Sequence, residues 1–484
     1  MISLHQVTVL QYFQSRLLPC DNRWQFNLSY LFWATNLTEK QKLSEGINIA
    51  ARIRSSKTTR RQTSLTAGQV SQSFKNNPDY PEHFYGFMKG IRESSAYWNA
   101  AKLDLLSMIN AKGPMTWFLT LSGNDMNWDD LMSVLCKQEG LPFSKDHISA
   151  LSRKEKSKLM IANPVTTARH FCRRVHHLIY SYILSDEKPL GEVVDYFWRI
   201  EFQMRGSPHL HSLWWIKDVS SLDTPEGIKD APKFIDKYIS TEIPTEDKLM
   251  CKRVSALQRH NHTKTCRKYC PKNKQSCRFG FPHPLSAQTV MKSKGCIETS
   301  PHCYTMKRLP GCEYINPYNT AILRLWNANM DIQMVGSAFG AAKYMCSYIC
   351  KPECDEVNQS VREAVSNLPS DASTKKHLCT IGNVFLTHRQ LSAQEAAFKM
   401  CGLPLRGSSK QTVYVDSRPE EERSRLLLPK HQLQELDDEN TNIFCSNAFD
   451  RYRNRPSVPE FESLTFAEFS SWYSRSNKNS NSIE

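Results

Sequence analysis

The stretch VVDYFWRIEFQ–MRGSP–HLHSLWWI, residues 193–216, limits the fold more than any other part of the chain. Both flanks are rich in β-branched and aromatic residues, and the middle carries Gly206 and Pro208, so it reads as strand, turn, strand. Side chains alternate along a strand, which puts His209 and His211 on one face and Leu210 on the other, toward a core. In the first strand Tyr196, Trp198, Ile200 and Phe202 share an apolar face, and Arg199, Glu201 and Gln203 share the opposite one. Two imidazoles two residues apart can grip one metal ion; they can also be ordinary polar residues on a solvated face. A turn of residues 204–208 sets Glu201 opposite His211 and Gln203 opposite His209, with opposed Cβ atoms about 4.5–5.5 Å apart. A turn one residue shorter throws Glu201 to the wrong face. Glu201 is therefore the expected third ligand, with Gln203 next, for a divalent ion that keeps open positions.

A second His-x-His run, His260–Asn261–His262, differs in kind. Its middle residue is polar, and Cys266, Cys270, Cys277 and His283 follow within a stretch, about 250–300, where apolar periodicity fades. Thiolate with imidazole is zinc chemistry. His260, His262, Cys266 and Cys277 would close a tetrahedron and leave no place for a substrate, which implies a structural staple; Cys270 can replace one of them. The competing reading is reduced Cys and His on a basic loop. The 16 Cys of the chain support thiols that are free or on metal, because MISLHQVTVLQYFQSRLL has no secretory pattern and a reducing compartment is expected.

The rest of the chain supplies context. Residues 1–110 read mostly as helix, as in YLFWATNLTEKQKLSEGINIAARIR. Trp117–Leu121, after the Gly113–Pro114 breaker, reads as a buried strand, and ANPVTTARHFCRRVHHLIYSYIL as a helix. NTAILRLWNANMDIQMV fits neither period cleanly. SAQEAAFKMCG opens at Ser392 with Glu395 at capping-box spacing. Residues 415–440 suggest a charged linker, and SRSNKNSNSIE a disordered tail. No apolar stretch approaches the roughly 18–20 residues that cross a bilayer. Lys and Arg number 63 against 48 Asp and Glu, a formal net charge of +15 that favours a polyanionic partner, nucleic acid before acidic membrane.

GAAKYMCSYICK reads as a helix ended by Pro352, with Tyr344 and Tyr348 four residues apart on one face and Lys351 on the same face. Aromatics at this spacing usually pack in a core. Beside a metal that polarises a phosphodiester, however, a tyrosine hydroxyl can attack phosphorus, and a lysine can stabilise the charge that develops.

These residues together resemble the nuclease portion of Helitron transposases, the eukaryotic rolling-circle elements. The resemblance is carried by FLTLSGNDMNW, DYFWRIEFQMRGSPHLHSLWW, HTKTCRK with CRFGFP, NPYNTAILRLWNANMDIQ, AAKYMCSYICK, SAQEAAFKMCGLPLRGSS and FDRYRNRP, which cover most of residues 1–475. It implies an α+β fold: a central antiparallel sheet bearing the histidines, flanked by helices, with a helical region at 1–110, a nuclease domain at 111–355 that holds the zinc insertion, and a C-terminal extension at 356–484. It implies Mg2+ or Mn2+ at His209 and His211 and single-stranded DNA as partner; a nuclear location is expected from that DNA substrate, without a clear import signal in the sequence. One tyrosine, expected to be Tyr344, joins the 5′ end of the cut strand, and the second allows strand transfer. Family members continue into a helicase, but no GxxxxGK[ST] phosphate loop occurs here. The expectation is a nicking and joining enzyme without ATP hydrolysis. The alternative is a zinc-stapled DNA-binding remnant; a two-histidine phosphoesterase lacks the second matching strand.

Overall fold

Strands form where the aromatic and β-branched runs lie: β1 (Trp117–Ser122), β2 (Val193–Phe202), β3 (Pro208–Ile216), β4 (Val290–Met291), β5 (Tyr304–Thr305), β6 (Met330–Met334) and β7 (Arg406–Ser408). The computed structural model describes residues 7–18, 22–56, 88–92, 94–202, 206–263, 266, 277–292, 303–335, 355–369, 372, 374–413, 415 and 446–473. Five strands make an antiparallel sheet in the order β6-β1-β3-β2-β7, and β4 pairs with β5 in a separate ribbon. With the many helices around it, this is an α+β protein.

The chain divides into two units. The first comprises residues 1–41, 91–357 and 385–410 and contains the sheet; the second comprises 42–90, 358–384 and 411–484. In the second unit the short helices Ala448–Arg453 and Phe466–Trp472 meet through Phe449 and Phe466, whose rings stack 4.2 Å apart.

One face of the sheet is a core surface. Trp117, Leu119, Leu121, Trp198, Ile200, Leu210, Trp214, Met330 and Ile332 point into it and are almost fully buried. Burying a large apolar side chain contributes about 1.5–3 kcal/mol, so this face alone commits the sheet to its orientation. Phe234, on the helix Pro225–Tyr238, stacks on Trp117 at 5.1 Å. Phe398, on the helix Ala393–Met400, meets Phe202 edge-on at 5.2 Å. Trp128, Phe171 and Trp326 form a further T-shaped cluster. Trp214 and Trp215 belong to the interior: they are 0% and 5% exposed, and the Trp215 indole donates to the Gly113 carbonyl.

The stretch at 319–335 resolves into two elements. Asn319 caps the helix Thr320–Trp326, Asn327 ends it in a left-handed conformation (φ 52°), and β6 follows. Two periods within one short stretch explain why neither was clean in the sequence. The helix at 393 begins as its spacing predicts, with Ser392 Oγ accepting from the Glu395 amide. The reciprocal half of the capping box is replaced, because Glu395 instead pairs with Arg389 and Lys399. The helix Lys248–Arg253 continues as a π-turn to Gln258, so irregular chain begins after residue 258 rather than at 250.

β7 closes one edge of the sheet only because residue 407 is glycine. A Cβ there would lie 2.4 Å from the buried Trp198 ring. Gly407→Ala should lower stability by roughly 1–3 kcal/mol through overpacking, read as a lower urea midpoint at unchanged slope. Gly90→Ala, where nothing lies within 4 Å of the new methyl, should stay near wild type.

Candidate metal centres

β3 is hydrogen-bonded on both sides, to β1 and to β2, so its alternation is fixed. Leu210, Ser212 and Trp214 face the core; His209 and His211 face the other way, their ring centroids 4.7 Å apart. The register differs from the sequence expectation. Phe202 pairs with Pro208, so Glu201 lies opposite His209, and Arg199, not Glu201, lies opposite His211. The hairpin loop is residues 203–207 rather than 204–208. A shift of two preserves the face, and the Glu201 side chain reaches diagonally to His211, Oε2 to Nε2 3.2 Å, in a buried pair. Gln203, the second choice as ligand, lies outside the described residues.

Neighbouring strands complete this face. Ser122, opposite His209 on β1, places Oγ 3.1 Å from His209 Nδ1. Thr120 lies opposite both His211 and, on β6, Asp331. Arg199 is buried with its guanidinium 4.0 Å from the Trp98 ring centroid, a cation held against an aromatic face. Tyr304 accepts a hydrogen bond from the Met334 amide at 3.0 Å, and burial holds its phenol well above the ordinary value. Burial likewise pushes the Asp331 carboxyl up to about 7, against a hydrogen bond from Gln333. Asp331 was hidden in the sequence by the mixed period of its segment. Once MDIQM is a strand, its alternation places Asp331 on the histidine face.

A carboxylate and two imidazoles on one face are a donor set that suits Mg2+ or Mn2+ with positions left open. Their ligand atoms are not drawn into one tight group: among the described residues, the set gathered that closely is His260, His262, Cys266 and Cys277, all within 4.8 Å of one another. There Cys266 Sγ lies 3.5 Å from His262 Nδ1 and Cys277 Sγ 3.4 Å from His260 Nε2. A tetrahedron with Zn–S of about 2.3 Å and Zn–N of about 2.0 Å requires ligand separations of roughly 3.5 Å, so these four fit zinc. Phe281 stacks on His260 at 4.4 Å, the Thr263 amide donates to Cys266 Sγ at 3.3 Å, and Cys266, Cys277 and Phe281 make a small core of their own. Burial and the neighbouring His262 hold the His260 imidazole below its ordinary value, hence neutral and able to ligate. Cys270, Tyr344, Tyr348 and Lys351 lie outside the described residues.

Residues 12–214 match the family model for the Helitron helicase-like domain at N-terminus. The chain is Helitron-related. The matched Helitron segment runs from the first helix through β1 and β2 and ends on β3, three residues past His211. No curated protein matches the chain. Among the described residues, no helix is long and apolar enough to cross a membrane.

Asp331 gives the site a pH signature. An unfolded carboxyl ionises near 3.8, the folded one near 7. The folded state therefore keeps a proton that the unfolded state has lost, and stability falls as pH rises through that window. Melting temperature in buffer without magnesium or manganese should decline from pH 4 to about 7, and Asp331→Asn should flatten the decline. Parallel curves for the two proteins would remove this assignment.

Proposed function

We propose that this chain nicks and rejoins single-stranded DNA through a tyrosine, with Mg2+ or Mn2+ held by Glu201, His209 and His211. The observation that carries the reading is the meeting of one carboxylate and two imidazoles on one face of a sheet inside the Helitron-related region. Arg199 adds a buried cation beside them, suited to a phosphate oxygen. The divalent ion would polarise the scissile phosphate. Tyr344 is the proposed first nucleophile and Tyr348 the second. The phenol oxygen bonds to phosphorus, the P–O3′ bond breaks, and the phenol proton passes through solvent to the departing 3′ oxygen. The bond energy is retained in a 5′-phosphotyrosine, so a 3′ hydroxyl can reverse the step and join a strand. Lys351 stabilises charge on the five-coordinate phosphorus. His260, His262, Cys266 and Cys277 are proposed to hold a structural Zn2+, stapling a segment too polar to fold on its own core.

The zinc-ligand geometry also suits a protein that only binds DNA, and one experiment separates the two readings. Labelled single strands incubated with the protein and Mn2+ should yield a protein–DNA adduct that survives denaturant. The double variant Tyr344→Phe/Tyr348→Phe should lose adducts and keep binding that weakens steeply with salt. His209→Ala should lose cleavage at unchanged zinc content, whereas Cys266→Ala should lose zinc and solubility. Salt-sensitive binding with no adduct on any strand would leave binding alone as the function.

A further inference from the structure

The run Ser122–Gly123–Asn124–Asp125 sits where β1 meets the start of β3, and the proposed chemistry gives it no part. It grips the residues around His209 at three points. Ser122 Oγ is 3.1 Å from His209 Nδ1. The Gly123 amide donates to the Pro208 carbonyl at 3.1 Å. The Asp125 carboxyl, 4% exposed, lies near Ser207, whose hydroxyl offsets part of the rise that burial imposes on it. The approach at Gly123 is close: a Cβ there would meet the Pro208 carbonyl oxygen at 3.1 Å and Ser207 Oγ at 3.2 Å. Ser122 is itself held, its amide donating to the Asn329 carbonyl at 3.0 Å and its carbonyl accepting from the Trp326 indole at 2.9 Å.

We infer that Ser122 is a positioning residue for His209: its hydroxyl oxygen accepts the Nδ1 proton, which makes Nε2 the unprotonated nitrogen that can ligate a divalent ion. The inference rests on the proposed role of His209 as a ligand. A neutral imidazole has one N–H, and the partner of one nitrogen decides which atom can ligate. With the Ser122 oxygen accepting, the Nδ1–H tautomer is held, and turning the ring about its Cβ–Cγ bond costs this contact. Removing the hydroxyl takes away this contact and the tautomer preference it carries. Gly123 and the Asp125–Ser207 contact keep the two strand ends close enough for the bond to persist.

The test measures Mn2+ affinity of the zinc-loaded full chain by electron paramagnetic resonance. Ser122→Ala should weaken Mn2+ binding by about 10-fold or more, the usual size of such an outer contact, and Ser122→Thr should restore most of it by keeping the hydroxyl. Nitrogen chemical shifts of the His209 ring in the unaltered protein should show Nδ1 protonated and Nε2 bare. An Nε2–H tautomer, or Ser122→Ala binding Mn2+ as wild type does while His209→Ala does not, would overturn the role of Ser122 alone. Wild-type Mn2+ affinity in His209→Ala would instead remove the metal site, and this inference with it.

Discussion

The pairing of β3 on both sides is the constraint from which the rest follows. A strand locked between two neighbours cannot slip by one residue without driving both histidines into the tryptophan-lined core and turning Leu210 and Trp214 outward. Burying imidazoles without partners and exposing those apolar side chains would each cost several kcal/mol. The cohesion of the apolar face thus sets the geometry of the polar one. Glu201, Arg199, Ser122, Thr120 and Asp331 share the histidine face because the same register places them there.

The two His-x-His runs show how one spacing serves two ends. Leu210 anchors the first pair to a core, so its imidazoles stand on a rigid strand and share a face with a carboxylate. Asn261 gives the second pair no such anchor, and cysteines close around it. The first arrangement spreads its donors over two strands. The second gathers four donors and a small aromatic wall of Phe281 and Tyr314.

Much of this was legible in residue order alone. The hairpin, the shared face of His209 and His211, the inward Leu210 and the helix start at Ser392 follow from local rules, since alternation and capping need no knowledge of distant chain. The register of Glu201 did not, because it depends on where a loop closes, and a loop of five residues can be placed at 203–207 as well as at 204–208. β6 and β7 were not readable as strands. One follows a helix with a single left-handed residue between, and the other, Arg406–Gly407–Ser408, is recognisable only beside Trp198. Ser122 and Asp331 gain meaning from strands distant in sequence. The four-residue His/Cys group emerged from side-chain chemistry despite irregular spacing, since few residue types can hold an irregular segment together.

The proposed chemistry requires that the Glu201–His209–His211 face bind a divalent ion. Diffraction from crystals soaked in Mn2+, recorded at a wavelength where manganese scatters anomalously, tests it without reliance on a DNA sequence. A peak is expected within bonding distance of both imidazoles and the Glu201 carboxylate, absent in His209→Ala. Manganese found only elsewhere, with this face bare at saturating ion, would contradict it.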